Sequence, residues 1–398
     1  MIHKKQQSNQ LMGVRLPGKV GSILSVLLLF GVGPVLALPN DMGGEVTAPI
    51  VIETATTTSV EKVLDRSEAQ RLVFVGETHT SLSDHQLQLD VLKAMHRQGG
   101  ELAVGVEWIQ RPFQKVLDKY IDGELEEKDF LRESEYFSRW GFDYRLYRDI
   151  FAYAREHRIP VYALNASREL SRAIREKGLQ GISDEWKAKL PASYDFDDEV
   201  YAGHLKQVFR MHANRNEEDS QAFRRFLEVQ LTWDETMAEG IANYLSGAPE
   251  RRMLVLAGRG HTHAAAIPSR VERRIGIRGL SIASYQPGDL FQKPDFMVLQ
   301  APRWLPSAGL IGIGLEERED GVYVTSIADD SHAGDAGIQK GDRILRIGNT
   351  EIDRYVDVKL AMLDRSPGDK LQVLTSRSGL FGISSENDAL VELISRRN

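Results

Sequence analysis

Residues 72–79 read LVFVGETH: four apolar residues run through a glycine into a glutamate and a histidine. A short apolar run bounded by polar residues has the signature of a buried strand. The stretch therefore predicts a strand that ends by aiming a carboxylate and an imidazole at one place. Four similar runs follow: LAVGVE (102–107), IPVYALN (159–165), RMLVLAG (252–258) and LSIAS (280–284). Between the first two strands, SDHQLQLDVLKAMHRQGG places Leu87, Val91, Leu92 and Met95 on one helical face and stops at Gly99. YRLYRDIFAYAREHR, ahead of IPVYALN, has the same helical spacing. Strands alternating with helices predict an α/β fold, a mainly parallel sheet flanked by helices. The charged region 170–250 predicts a helical insertion between strands.

The chain has 398 residues, too many for one average domain, and predicts two folded units with a terminal segment. It is 42% hydrophobic and 27% charged, the balance of a globular protein with real cores. A net charge of −7 and a pI near 5.9 give no footprint for a nucleic-acid partner. The absence of Cys excludes disulfides, thiol nucleophiles and thiolate metal sites, leaving His, Asp, Glu and Tyr as ligands. Residues 1–37 run from basic (Lys4, Lys5, Arg15, Lys19) through apolar (VGSILSVLLLFGVGPVLA) to small, ending at Ala37. That order describes a cleaved export signal. Gly31, Gly33 and Pro34 interrupt the run near the length a spanning helix needs. The expectation is an exported protein, periplasmic or membrane-associated in a bacterium. Residues 38–60 are a leader, 61–300 the α/β domain and 301–398 a second domain, with APRWLPSAG as the linker.

The strand ends make a pattern. The first delivers Gly76, Glu77 and His79; the second, Glu107; the third, Asn165 with Arg168 close behind; the fourth, Gly258 and His261, with His263 two residues on. In a parallel sheet the carboxyl ends of the strands line one edge, where ligands bind. The doubled G-x-x-H adds to this, because glycine permits a sharp exit from the strand and close approach of a ligand. His79, Glu107 and His261 compose a reasonable divalent-metal set. Glu77 is a candidate general base, and a purely structural Glu–His network is the third option.

The blocks GETH-x5-HQLQLDVL, GVEW, WGFDYRLYRDIFAYARE, IPVYALN, WDETMAEGI and LAGRGHTH resemble the ChaN-like haem-binding uptake family of the Tiki superfamily, over roughly residues 60–285. The resemblance implies a ChaN/erythromycin-esterase-like fold, haem as cofactor, and a role in haem or iron handling at the cell envelope. It carries over His79, Glu107 and His261 as core site residues, with Glu77, His85, Asn165 and Asp234 supporting. More distant relatives resemble erythromycin esterases and Tiki-type metal-dependent peptidases. They keep a second reading open: a hydrolase with a metal such as Mn or Co, and Glu77 as catalytic base. The chain departs from lipoprotein members of the family in having no Cys to lipidate.

Residues 136–153 hold eight aromatics. Tyr144 and Tyr147 with Arg145 and Arg148 would supply an axial phenolate and propionate-binding cations for haem. The same stripe also suits a core, or an oligomer face such as a homodimer's. His204, His212, Tyr201 and Met211 in the helical insertion are no better supported as haem ligands, since a lone histidine on a charged helix is usually a surface residue.

Beyond residue 305 the sequence resembles a PDZ domain of the bacterial exported type, carried by GLIGIGL (309–315), GVYVTSI (321–327) and AGIQKGDRILRIG (336–348). That resemblance implies strand addition of a partner envelope protein's C-terminal peptide. Leu310, Ile311, Gly312 and Ile313 would form the carboxylate loop, and the helix around 356–363 would wall the groove. Gly337 and Gly341 suit turns of positive φ, and Asp342 suits satisfying turn amides.

Overall fold

The computed structural model describes residues 58–59, 62–63, 71–213, 220–285, 294–378 and 384–395, the side chains of 212, 213 and 220 excepted. The expected export signal and nearly all of the leader lie outside the described residues. Among the described residues, those up to Trp304 and those from Leu305 form two compact units. The expected linker spans that point.

In the first unit the chain runs β1 (Leu72–Glu77), α1 (Leu82–Arg97), β2 (Leu102–Gln110), α2 (Gln114–Ile121), α3 (Glu127–Glu133), α4 (Tyr136–Arg139), α5 (Arg148–Glu156) and β3 (Val161–Asn165). It continues α6 (Arg168–Lys177), α7 (Asp184–Lys187), α8 (Glu199–Ala213), α9 (Ser220–Ser246), β4 (Arg252–Gly258), α10 (Arg259–Thr262), α11 (Ile267–Ile275), β5 (Leu280–Ser284) and β6 (Phe296–Val298). All five expected strands form, and the insertion is helical. β6 adds a sixth, only three residues long and so too short to show a period.

The strands pair in parallel in the order β3-β2-β4-β1-β5-β6. β1 is buried along its whole length, as a parallel strand covered on both faces must be. One core joins Leu72 and Phe74 of β1, Met253 and Val255 of β4, Met237 and Ile241 of α9, and Ile267 and Val271 of α11. The insertion carries the chain back so that β4 enters between β2 and β1. Three strand ends, those of β2, β4 and β1, thus stand side by side. β3 is left outside them. Between β2 and β3 the register shifts between Val106 and Gln110, so Glu107 lies within β2 at the point where its regular pairing stops. Among the described residues no helix is long and apolar enough to cross a membrane.

The second unit is a small antiparallel sheet. It holds β7 (Ile313–Arg318), β8 (Gly321–Ile327), β9 (Arg343–Ile347), β10 (Thr350–Glu351), α12 (Tyr355–Met362), β11 (Lys370–Ser378) and β12 (Ser384–Glu392). The order is β12-β11-β9-β8-β7, with β10 paired to β9. β7 is an edge strand, the position an added strand requires. Val322, Val324, Ile344, Val358, Val373 and Val391 are among the residues of its core. Gly337 and Gly341 take φ of +89° and +94°. The buried Asp342 accepts from the Gln339 amide (2.8 Å) and from Arg377 Nε (2.7 Å).

Candidate functional site

The site is built from two turns that leave adjacent strands. The first, after β1, is fixed by Asp84 of α1. Its Oδ2 accepts the Thr78 amide (2.9 Å), and its Oδ1 accepts the hydroxyl of Ser284 at the end of β5 (2.6 Å). Ser81 caps α1. With that turn locked, His79 Nδ1–H donates to Glu77 Oε1 (2.6 Å). His85, held by Gln88 (3.1 Å), brings Nε2 to 3.8 Å from the other oxygen of Glu77. Gln88 in turn donates to the Val75 carbonyl (3.1 Å).

The second turn, after β4, delivers His261. Its Nδ1–H donates to Asp234 Oδ1 (2.5 Å), a residue of α9 that also accepts the Tyr201 hydroxyl (2.7 Å). His261 Nε2 faces Glu107 Oε1 at 3.5 Å, and Glu107 Oε2 accepts the Gly258 amide (2.7 Å). Each imidazole therefore has a carboxylate on Nδ1. His79, Glu107 and His261 are brought together from β1, β2 and β4, with Glu77, His85 and Asp234 behind them.

The two glycines explain why the motif is doubled. A Cβ on Gly258 would lie 2.8 Å from His79 Cε1 and 3.4 Å from Glu107 Oε2. A Cβ on Gly76 would collide with Thr262 Oγ1, in the turn that carries His261. Neither glycine has positive φ. Each makes room for the other motif, which is a different reason from the sharp strand exit expected.

Burial dominates the electrostatics, and paired charges reverse it. Burial alone would raise the Glu77 pKa; the imidazoles of His79 and His85 more than offset this, leaving it below the usual carboxylate range. Burial alone would lower His79, but Glu77 and Glu107 raise it above its ordinary value. For His261, burial opposes protonation, and Asp234 with Glu107 still push it up to about 9. Asp234 is lowered because His261, Arg270 and Tyr201 outweigh its own burial. His263 is the opposite case: burial and the neighbouring His204 push it down to about 3. Its Nε2 has no hydrogen-bond partner, and its ring lies 5.0 Å from that of His204 on α8.

Other expected residues lie elsewhere. Asn165, at the end of β3, caps its own turn through the Ala166 amide (2.8 Å). Arg168 donates to the Ser138 carbonyl (2.8 Å). Neither hydrogen-bonds to the His79–Glu107–His261 group, because β2 stands between β3 and β4. Tyr144 and Tyr147 are fully buried, and burial raises both phenols well above their ordinary pKa. Arg145 pairs with Asp143 and Arg148 with Glu127. Tyr144 and Tyr147 belong to an aromatic wall, and the two arginines are held in these ion pairs. Within that wall Trp140 and Phe142 pack on His79 (4.8 and 4.6 Å), and Tyr147 packs on His85 (4.4 Å). Sequence reasoning missed Asp84, Gln88 and Ser284. Their only signal was polarity within apolar surroundings. Among the described residues, no group of three His, Asp or Glu stands ready to hold a metal ion.

In the second unit Gly312 takes φ of +77° and accepts the Ala328 amide (2.8 Å). Ile311 is buried, and its carbonyl accepts the Ser331 hydroxyl (2.7 Å). Ile313 starts β7. The Leu310 N–H donates to the Ile394 carbonyl (2.9 Å), which buttresses the loop.

Comparison with known proteins agrees with these two units. Residues 63–271 match the family described as haem-binding uptake, Tiki superfamily, ChaN, and residues 309–380 match the PDZ domain. A structure of ChaN of Campylobacter jejuni, described as showing cofacial haem binding, is 17% identical. The match covers 60% of this chain and 91% of that chain, with a TM-score of 0.50, a likeness of fold. A PDZ domain of a carboxy-terminal protease from Vibrio cholerae in complex with peptide is 21% identical over 24% of this chain and 100% of that one, with a TM-score of 0.20. No curated protein matches the chain.

Proposed function

The chain belongs to the ChaN haem-binding uptake family of the Tiki superfamily, and from that premise we propose that its α/β unit binds haem at the carboxyl edge of the sheet while its PDZ unit takes a partner's C-terminal peptide. The family match over residues 63–271 carries the haem half of this reading. The residues present fit the group: the sheet edge gathers several imidazoles, and the Nε2 of His263 among them is buried without a partner. A neutral imidazole is a usual axial donor to haem iron, which binds and releases ligands or electrons according to that donor. Residues 1–37, read as an export signal, support a place in the bacterial envelope and a role in haem or iron uptake there. β7, an edge strand beside α12, supports peptide addition. Titration of the purified full chain with haemin tests the first half. A saturable Soret shift is expected, and its absence refutes haem binding. For the second half, a peptide with a free, apolar C-terminus binds and its amidated form does not; equal affinities refute the carboxylate loop.

One observation favours a second reading, a metal-dependent hydrolase: two carboxylate–histidine dyads, Glu77–His79 and Asp234–His261, converge on Glu107. Carboxylates on Nδ1 orient imidazoles for a metal on Nε2. Under this reading Glu77 positions His79, since it lies beneath that ring with a lowered pKa. Calorimetry with Mn²⁺, Co²⁺ and Zn²⁺ decides: unchanged affinity in His79→Ala and His261→Ala removes the reading.

A further inference from the structure

The amino edge of the sheet, opposite the cleft, carries a separate pair of imidazoles. α1 starts beside the cleft and ends just before β2, and α5 ends just before β3. Both strands run parallel to β1 through β4, so the last turns of the two helices lie at that far edge. His96 is in the last turn of α1, and His157 caps α5. Their ring centres are 4.8 Å apart. Tyr153, one turn before His157, stacks on it at 4.3 Å and brings its hydroxyl to 2.9 Å from His96 Nδ1.

The backbone beneath both rings is fixed. Gly99, at φ +74°, ends α1 with its amide on the His96 carbonyl (2.9 Å). α5 ends with the Ile159 amide on the Ala154 carbonyl (2.8 Å) and Arg158 at φ +51°. A left-handed residue other than glycine costs about 1–3 kcal/mol, and persists where its surroundings over-determine it. His157 is exposed, and among the described residues its ring makes no hydrogen bond or ion pair. Core packing therefore gives no reason for an imidazole there.

The spacing suits a shared ion. A metal about 2.0–2.1 Å from two imidazole nitrogens, at a bond angle of about 90–110°, sets the ring centres about 4.5–5.2 Å apart. The observed 4.8 Å falls inside that range. Tyr153 accepts the Nδ1–H of His96, which leaves the Nε2 lone pair open; metal-bound histidines almost always have such a partner on the second nitrogen. The carbonyl ends of two helices add partial negative charge beside a cation.

We propose that His96 and His157 bind one divalent late transition-metal ion, Cu²⁺ most tightly, and that Tyr153 holds His96 in the binding tautomer. Imidazole suits these ions, and Cu²⁺ is the strongest binder of its row. Tyr153 is a positioning residue. The site shares no residue with the cleft and stands whether or not haem binds there.

The test is Cu²⁺ titration of the untagged full chain by calorimetry, with electron paramagnetic resonance of the product. Wild type binds one equivalent here, and its spectrum carries splitting from two imidazole nitrogens. His96→Ala and His157→Ala each lose that equivalent while keeping the wild-type thermal melt. Tyr153→Phe keeps the ring, removes only the hydroxyl and weakens binding by about 10–100-fold. The proposal is overturned if wild type takes up no Cu²⁺, or if either histidine variant keeps the stoichiometry and the spectrum. Loss of the equivalent only in His79→Ala or His261→Ala places the ion in the cleft and also overturns it. Wild-type affinity in Tyr153→Phe overturns the positioning role.

Discussion

Replacing Asp234 by Asn should change how the stability of the α/β unit depends on pH, by an amount that follows from the site. His261 is 5% exposed, and its Nδ1–H donates to Asp234 at 2.5 Å. Burial opposes its charge, yet Asp234 and Glu107 lift its pKa from 6.5 to about 9. At about 1.4 kcal/mol per pH unit this corresponds to about 3 kcal/mol favouring the folded, protonated state. The folded pKa lies above the unfolded one. The contribution is therefore full below pH 6.5 and disappears as pH rises through about 9. Urea unfolding of the ligand-free chain, followed by tryptophan fluorescence between pH 6 and 9.5, measures it. His79 is also raised and titrates with the same sign, so the wild-type slope contains both groups. The comparison with Asp234→Asn isolates His261: the variant is less stable by up to about 3 kcal/mol at pH 6.5, and the gap narrows towards pH 9. Asp234 itself is lowered and titrates well below this window. Parallel wild-type and variant profiles across the window would refute the argument, because His261 would then owe nothing to Asp234.

Gly258→Ala places a methyl 2.8 Å from His79 Cε1. It should cost about 1–3 kcal/mol by overpacking, and a thermal melt coincident with wild type would show that the turn has slack. Tyr136→Phe removes a buried hydroxyl that has no partner. Stability should stay level or rise by about 1 kcal/mol, and a clear loss in urea unfolding would mean that the phenol is bonded. In the PDZ unit, burial would raise Asp342, but Arg377 and the Gln339 amide hold it below the usual carboxylate range. That contribution is present above the unfolded pKa of about 3.9 and lost as pH falls through the lowered folded value. Asp342→Asn should cost about 1–3 kcal/mol at pH 7 and flatten the acid limb of the unfolding curve; an unchanged acid limb counts against the pairing.

The five long strands were legible because each is an apolar run closed by polar residues, a pattern written residue by residue. The helix over Leu82–Arg97 was legible through its period of 3.6. Glu77, His79, Glu107 and His261 were legible for the same local reason: each stands where an apolar run stops. Asp234 was different. It lies inside a helix with no local mark, and only the resemblance to a known family selected it. Tyr144 and Tyr147 were legible as part of an aromatic stripe, but composition does not say which way a ring faces.

The sequence alone determined which segments become strands and helices, where the strands end and what chemistry they end in, since apolar runs and a period of 3.6 are local properties of the chain. The tertiary structure decided which ends meet. β4 enters between β1 and β2, so the glycine of each G-x-x-H faces the other motif, and Asn165 on β3 is set one strand away. It also decided that His204, on a helix with an ordinary charged sequence, rests against His263. These adjacencies follow from the path of a crossover and the packing of α8 and α9 against the sheet. That packing sums contacts between residues far apart in sequence, and no local spacing records it.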